Sequence, residues 1–239
     1  MEHKSLLMDC AKEMGVELTE EMLSQFETYF SLLIEWNEKM NLTAITEERE
    51  VVLKHFADCI SVLPHLALTG KEKIIDVGTG AGFPGIPLKI ACPSLEVTLL
   101  DSLQKRIGFL EEVGRQLNLE GVTYLHSRAE DGGQNPELRE QFDLCVSRAV
   151  ANLSVLSEYC LPFVKTGGRL AALKGPDALR ELEEAQGALK KLGGTLEKVV
   201  DVEIPFTDLR HKLVIIRKTE KTPAQYPRKA GKIQKNPLR

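Results

Sequence analysis

Cysteine, aromatic residues and long apolar runs are all scarce in this chain, and each scarcity argues against a class of function. The five cysteines, Cys10, Cys59, Cys92, Cys145 and Cys160, are odd in number and include no Cys-x-x-Cys pair. They fit reduced, mostly buried thiols of a cytoplasmic protein and argue against a disulfide framework or a zinc site. Aromatics make up only 5% of the 239 residues, with a single Trp, too few for an extended base-stacking platform. No window reaches the roughly 18 consecutive apolar residues that span a bilayer. Met1-Glu2-His3-Lys4 opens without the apolar run of a signal peptide. Neither a membrane nor a metal is expected as a partner, and with no obvious apolar seam a monomer is expected.

What is present is 43% hydrophobic content, ample for one core, and a lopsided charge. The formal net charge is −4, yet residues 210–239 hold ten Lys or Arg against one acid, Glu220, which leaves −13 for the rest. A basic end on an acidic body fits a polyanionic partner, and charge alone fits a solubilising tail equally well. Pro223, Pro227 and Pro237 among many lysines predict a mobile tail.

Residues 1–68 carry helical periodicity. Met22, Phe26, Tyr29, Leu33, Trp36 and Met40 recur at spacings of three and four, one apolar stripe on a long helix. Gly15 marks the stop of a helix before it. Thr46, followed by Glu47 and Glu48, marks the N-cap of another running to about Leu63, ahead of Pro64. With thirteen acids against five bases from Glu2 to Asp58, this extension does not bind phosphates by itself.

From Lys71 strands and helices alternate, the signature of a parallel sheet. Strands are expected at 73–77, 96–100, 122–126, 142–147, 169–173, 195–204 and 212–218. The last two are joined by too little chain for a parallel crossover, so they pair antiparallel. Leu179, Leu182, Leu189 and Leu192 predict the apolar face of a helix stopped by Gly193-Gly194. The expected fold is α/β: a Rossmann-like, mostly parallel sheet over 69–218 with an antiparallel terminal hairpin. A helical extension (1–68) precedes it and a basic flexible tail (219–239) follows.

The run Lys73-Ile74-Ile75-Asp76-Val77-Gly78-Thr79-Gly80-Ala81-Gly82-Phe83-Pro84-Gly85 joins an apolar strand to a tight glycine turn that opens a helix. Such a turn brings backbone close to a nucleotide-like cofactor. A carboxylate at Asp76 is a poor neighbour for a pyrophosphate, since like charges about 4 Å apart cost on the order of 4 kcal/mol at an effective dielectric near 20. It suits S-adenosylmethionine, which carries an ammonium and a sulfonium and no phosphate. Residues 78–87 contain no Lys or Arg, so nothing in the turn is built for phosphate.

Ligands in such sheets lie beyond the carboxyl ends of the strands. Asp101, after the second strand, is positioned to accept from both ribose hydroxyls and to repel a 2′-phosphate. Ala129 and Glu130, after the third, present backbone groups and a carboxylate to an adenine edge. Arg148, after the fourth, is the basic group nearest the expected reaction centre. Arg128, Lys174 and Arg210 near the sheet's rim are either ordinary surface charge, the simpler reading for Arg210, or, given a polyanionic partner, groups that hold its phosphates. Asn41 and His55 are either helix-terminal hydrogen bonders or contacts to cofactor or RNA. His3, His65, His126 and His211 carry no functional expectation. Cys145 lies in the apolar run 142–146 and fits a structural thiol better than a nucleophile.

Gly80-x-Gly82-x-x-Gly85 also satisfies the dinucleotide spacing, so a nicotinamide-dependent oxidoreductase is a competing reading, opposed by Asp76 and by the lack of a substrate domain. A non-catalytic RNA-binding protein on a vestigial cofactor fold is a third. Asp76, the glycine turn, Asp101 and Ala129-Glu130 together resemble the class I S-adenosylmethionine-dependent methyltransferases. A narrower resemblance rests on residues 36–43 (WNEKMNLT), 55–58 (HFAD), 80–87 (GAGFPGIP), 147–151 (SRAVA) and 226–231 (YPRKAG). These segments are similar to the glucose-inhibited division protein B family, bacterial methyltransferases that form 7-methylguanosine in a conserved loop of 16S ribosomal RNA. The resemblance implies S-adenosylmethionine as cofactor and 16S ribosomal RNA or the small subunit as partner. It also implies cofactor contacts at Gly78, Phe83, Ala129, Glu130 and Arg148, with Gly80 and Gly82 shaping the turn.

Overall fold

The computed structural model describes residues 3–239. Seven strands, β1 (Lys73–Val77), β2 (Glu96–Asp101), β3 (Val122–His126), β4 (Phe142–Arg148), β5 (Val164–Lys174), β6 (Gly194–Glu203) and β7 (Arg210–Lys218), form one sheet. Its order is β3-β2-β1-β4-β5-β7-β6. β1 to β5 run parallel, and β7 lies antiparallel to both β5 and β6. The expected five parallel strands with a terminal hairpin are therefore present. β5 starts earlier than expected because a register irregularity between Phe142 and Leu144 carries the pairing back to Val164.

Ahead of the sheet lie α1 (Lys4–Glu13) and α2 (Glu20–Met40). Gly15, at φ 73°, ends the α1 region. The Thr19 side chain caps α2 by accepting from the Met22 amide, with Glu20 and Glu21 in the first turn. α2 buries Leu23, Phe26, Tyr29 and Leu33, the centre of the expected stripe, while Met22, Trp36 and Met40 are half-buried. The next helix differs from expectation. Its cap is Glu47, whose carboxylate accepts from the amides of Arg49 and Glu50, a longer side chain doing what Thr46 was expected to do. α3 (Glu48–Val51) then widens into a π-helical stretch, Val52–Ala57, before α4 (Asp58–Ile60). Pro64 does not follow the helix but sits in the first turn of α5 (Leu63–Leu66).

The remaining helices are α6 (Gly85–Ala91), α7 (Gln104–Gln116), α8 (Ala129–Gly132), α9 (Leu153–Cys160), α10 (Ala178–Leu192) and α11 (Lys232–Lys235). They complete a three-layer packing. One core lies under α1, α2, the π segment, α6 and α7, and the other under α9, α10 and α11. Strand alternation divides β1 between them: Ile74 faces the first, Ile75 and Val77 the second. α10 buries Ala178, Leu182, Ala185, Ala188, Leu189 and Leu192, and Gly193 at φ 79° caps it. Leu179 lies off this face and is exposed.

The segment expected to be a mobile tail is instead docked. Arg139 donates to the carbonyls of Thr222 and Tyr226, and buried Lys218 donates to the Thr222 hydroxyl. Ile233 and Leu238 are buried against the second core. Proline content signalled an absence of regular structure, but side-chain anchors supply the order that backbone pairing does not. No helix among the described residues is long and apolar enough to cross a membrane.

Candidate functional site

Strand order reverses between β1 and β4, and a cleft of about 510 Å³ opens there beyond the strand ends. Gly78, Asp101, Arg128, Ala129, Glu130 and Arg148 line it. A second cleft of about 460 Å³ is lined by Leu42, Thr43, His55, Thr79, Gly80 and Phe83, and shares Gly78, Arg148 and Ala149 with the first. The two are lobes of one trough, joined at the tip of β4.

The glycine turn is shaped from below. Gly78, Gly80 and Gly82 adopt φ values of 73°, 61° and 102°, which L side chains rarely reach. A Cβ on Gly82 would lie 2.7 Å from both the Tyr29 hydroxyl and Ile86 Cγ1. That hydroxyl donates to the Ala81 carbonyl at 2.5 Å, so α2 directly braces the turn.

Asp76 does not face the trough, which corrects the sequence expectation. Strand alternation turns it toward the same layer as Ile74, and it is fully buried. Its Oδ2 accepts from the Thr79 hydroxyl at 2.7 Å and the Gly85 amide at 2.8 Å, while Oδ1 has no partner. Burial raises its pKa to about 7 against the opposing pull of those two donors. Asp76 fixes the start of α6. The later signal was in the sequence, since Thr79 and Gly85 are the donors a β1 carboxylate can reach.

Asp101 lies at the β2 tip as expected, nearly buried. Oδ2 accepts from the Gly80 amide at 3.0 Å and Arg106 at 3.2 Å, and Oδ1 from the Leu103 amide at 2.9 Å. Both oxygens are held in place, and lone pairs remain for a ligand. Glu130 is mostly buried in the cleft wall, yet among the described residues it makes no hydrogen bond or ion pair. Its carboxylate oxygens open onto the cleft, where a ligand can supply donors.

Arg148 is fixed from three sides. Its Nη1 donates to the Lys54 carbonyl at 3.0 Å and to Asp58 at 2.8 Å, and Nη2 donates to His55 Nδ1 at 3.1 Å. The guanidinium carbon lies 5.0 Å from the Phe83 ring centroid. On that ring His55 stacks at 4.5 Å. Nδ1 of His55 also lies 3.0 Å from the Lys54 carbonyl, which can only accept, whereas Arg148 can only donate, so these two contacts call for opposite tautomers; Nε2 lies 2.9 Å from the Thr43 hydroxyl. Burial and the neighbouring Arg148 charge lower the His55 pKa to about 4, so it stays neutral. The π-helical stretch supplies the Lys54 carbonyl and His55 to Arg148, and Asp58 follows at its end. Asp58 Oδ1 is bound at 2.8 Å by His211 Nδ1. Burial would raise the Asp58 carboxyl, but His211 and Arg148 outweigh it and hold it below the ordinary range. His211, given no role from the sequence, is thus a support of Arg148.

Four sequence candidates are not brought into the trough. Lys174 is buried, its ammonium bound to the Ala151 carbonyl and Glu181, both at 2.7 Å. It pins the loop after β4 and has no charge free for RNA. Arg210, 76% exposed, pairs with Glu203 on the hairpin and lines neither lobe. Asn41 is the left-handed C-cap of α2, at φ 50°; its successors Leu42 and Thr43 reach the second lobe instead. Asp76 is the fourth. Arg128 does line the first lobe, exposed and without an ion pair among the described residues. Sequence reasoning missed Thr43, Asp58, Arg106, Ser127, Tyr159, Gly231 and Gln234, which line or support the lobes. Asp58 lies in the 55–58 stretch HFAD, but only the fold pairs it with Arg148. Burial pushes the Cys145 thiol well above its usual value, in keeping with a structural thiol.

A sheet ordered 3-2-1-4-5-7-6, with its seventh strand reversed and its cleft at the switch point, is the architecture of the class I methyltransferases. The fold is similar to TrmN from Thermus thermophilus, with a TM-score of 0.53 and 17% identity, covering 70% of this chain and 53% of that one. It is also similar to a SAM-dependent O-methyltransferase from Thermotoga maritima, with a TM-score of 0.52 and 18% identity over 79% and 72% of the two chains. A family model described as rRNA small subunit methyltransferase G matches residues 22–211. The ribosomal RNA small subunit methyltransferase G of Alkaliphilus oremlandii (strain OhILAs) is 51% identical over 239 residues, 100% of both chains. That of Thermoanaerobacter sp. (strain X514) is 53% identical over 240 residues, again 100% of both. The chain belongs to the rRNA small subunit methyltransferase G family.

Proposed function

We propose that this protein methylates nitrogen-7 of a guanosine in a conserved loop of 16S ribosomal RNA, within the small subunit or its precursors, using S-adenosylmethionine. Family membership supports the rRNA methyltransferase activity. The observation that carries the mechanism is the junction of two lobes at Gly78, Arg148 and Ala149. The first lobe fits the methyl donor, because its wall offers acceptors: Asp101 for ribose hydroxyls and the unpartnered Glu130, beside Ala129, for an adenine edge. Gly78, Gly80, Gly82 and Phe83 form the turn that separates this lobe from the second, which receives the base. When bound, S-adenosylmethionine supplies a methyl group on a cationic sulfonium.

Nitrogen-7 of guanine presents a lone pair and carries no proton, so the acceptor needs no general base. The second lobe matches that requirement. His55 is neutral, with both ring nitrogens engaged, and no other titratable base lines the lobe. The work left to the protein is positioning and electrostatics. Arg148 spends three of its five N–H donors on Lys54, Asp58 and His55. It is therefore a fixed positive edge that orients cofactor, oxygen-6 or a phosphate; a bidentate grip on the guanine would block the nucleophile. Arg128 is a cation of the first lobe with no ion pair among the described residues. On this reading Leu42, Thr43 and His55 of the helical extension wall the acceptor lobe, 69–218 hold the donor, and 219–239 border it. The protein acts as a monomer in the cytoplasm.

Small subunits from cells lacking this protein, incubated with it and labelled S-adenosylmethionine, test the proposal by nucleoside mass spectrometry. Label in 7-methylguanosine is expected. Label in another nucleoside, or none, would contradict it.

A further inference from the structure

The docked C-terminal segment closes one side of the donor lobe. Gly231 and Gln234 line that lobe together with Tyr159 of α9. The segment is held there by an ion pair whose carboxylate is fully buried and whose guanidinium is largely covered. Glu158, fully buried in α9, accepts from the Arg228 amide at 2.8 Å. It also takes a two-pronged guanidinium contact, Nε to Oε1 at 2.9 Å and Nη2 to Oε2 at 2.7 Å. The same Nη2 donates to the Asn236 carbonyl at 2.9 Å. Arg228 thereby ties both ends of the loop 228–236, and Ile233 plugs its middle into the second core. A solubilising tail needs no buried ion pair and presents no side chain to a ligand cleft.

We infer that the C-terminal segment is a working part of the methyl-donor site, with Gln234 a cofactor-binding residue and Arg228, Glu158 and Ile233 positioning residues that hold it in place. This rests on the reading of the first lobe as the donor's. The amide of Gln234 offers one donor pair and one acceptor to the lobe that the Glu130 carboxylate also lines. A neutral adenosine can satisfy both; a phosphorylated nucleotide would gain nothing from Glu130. Donor binding and tail docking are then coupled, each stabilising the other. The exposed Lys229, Lys232 and Lys235 on the same segment report on docking as protease sites.

Calorimetric titration of the full chain with S-adenosylmethionine, in the wild type, Gln234→Ala and Ile233→Ser, tests the inference. Gln234 is exposed, so its replacement leaves the fold intact, and a melting curve checks Ile233→Ser. Gln234→Ala is expected to weaken binding about five- to tenfold, the loss of one hydrogen bond, with KM for the donor raised and kcat unchanged. Ile233→Ser is expected to weaken binding at least as much. S-adenosylmethionine is expected to slow tryptic cleavage after Lys229, Lys232 and Lys235 in the wild type. Equal affinity in all three proteins overturns the inference and leaves the donor lobe standing; no heat from the wild type overturns both.

Discussion

The two lobes of the trough are built by different means. The donor lobe is made of strand tips: Gly78, Asp101, Ala129 and Glu130 follow consecutive parallel strands, and their places are set by the sheet. The acceptor lobe is made of a cap and a helix irregularity: Leu42 and Thr43 just past the end of α2, and His55 on a π-helical stretch. The first kind of site is generic to α/β sheets. The second depends on one chain's own packing, and it is where a family can acquire a particular acceptor. Arg148 belongs to both, standing on a strand tip and gripped by the helical wall.

The largest expected effect comes from cutting that link. Arg148→Ala should lower kcat/KM by two to three orders of magnitude, about 3–4 kcal/mol, the scale seen when a preorganised charge donor is removed. It also leaves Asp58 with His211 as its one remaining partner among the described residues, so the melting temperature should fall as well. A loss under fivefold would remove Arg148 from the reaction centre.

Asp76→Asn probes the brace beneath the turn. The Asp76 carboxyl holds its proton better folded, with a pKa of about 7, than unfolded, near 3.8. Its contribution to stability is therefore full below about 3.8, declines as pH rises, and is gone above about 7. Relative to Asp76→Asn, the wild type should lose on the order of 1 kcal/mol per pH unit between pH 5 and 7, then level off. Parallel stability curves would mean that the carboxylate stays ionised in the fold.

Asp58→Asn should cost about tenfold in kcat, near 1.4 kcal/mol, by loosening Arg148. Removing His211 should move the same parameter in the same direction by less. The smallest effect concerns RNA. Replacing Lys229, Lys232 and Lys235 by Ala should flatten the salt dependence of RNA binding by about 0.7 log unit per lost phosphate contact on single strands. An identical slope would return those lysines to ordinary surface charge.

The contrast between the lobes also explains what was legible in the sequence. The succession of parallel strands, the reversed hairpin and the strand-tip residues of the donor lobe follow from period-two alternation and glycine spacing, both local signals. Asp76 was misassigned because its place at a strand end was weighed without its parity: even by even, it shares a face with Ile74, under α6. Lys174 was misassigned for a related reason, since Glu181 meets it only once α10 has packed. The Asp58–His211 and Arg228–Glu158 pairs span 153 and 70 positions, and no local pattern announces a partner at that separation. The tail's order was invisible for the same cause, its anchors lying on Arg139, Glu158 and Lys218.

The division of labour between the lobes is tested most directly by steady-state kinetics of Asp101→Ala and Thr43→Ala, varying methyl donor and small subunit independently. Asp101→Ala is expected to raise KM for S-adenosylmethionine, losing about 1–3 kcal/mol of binding, and to leave KM for the small subunit unchanged; Thr43→Ala is expected to do the converse. Equal shifts of both constants in both variants would contradict the account.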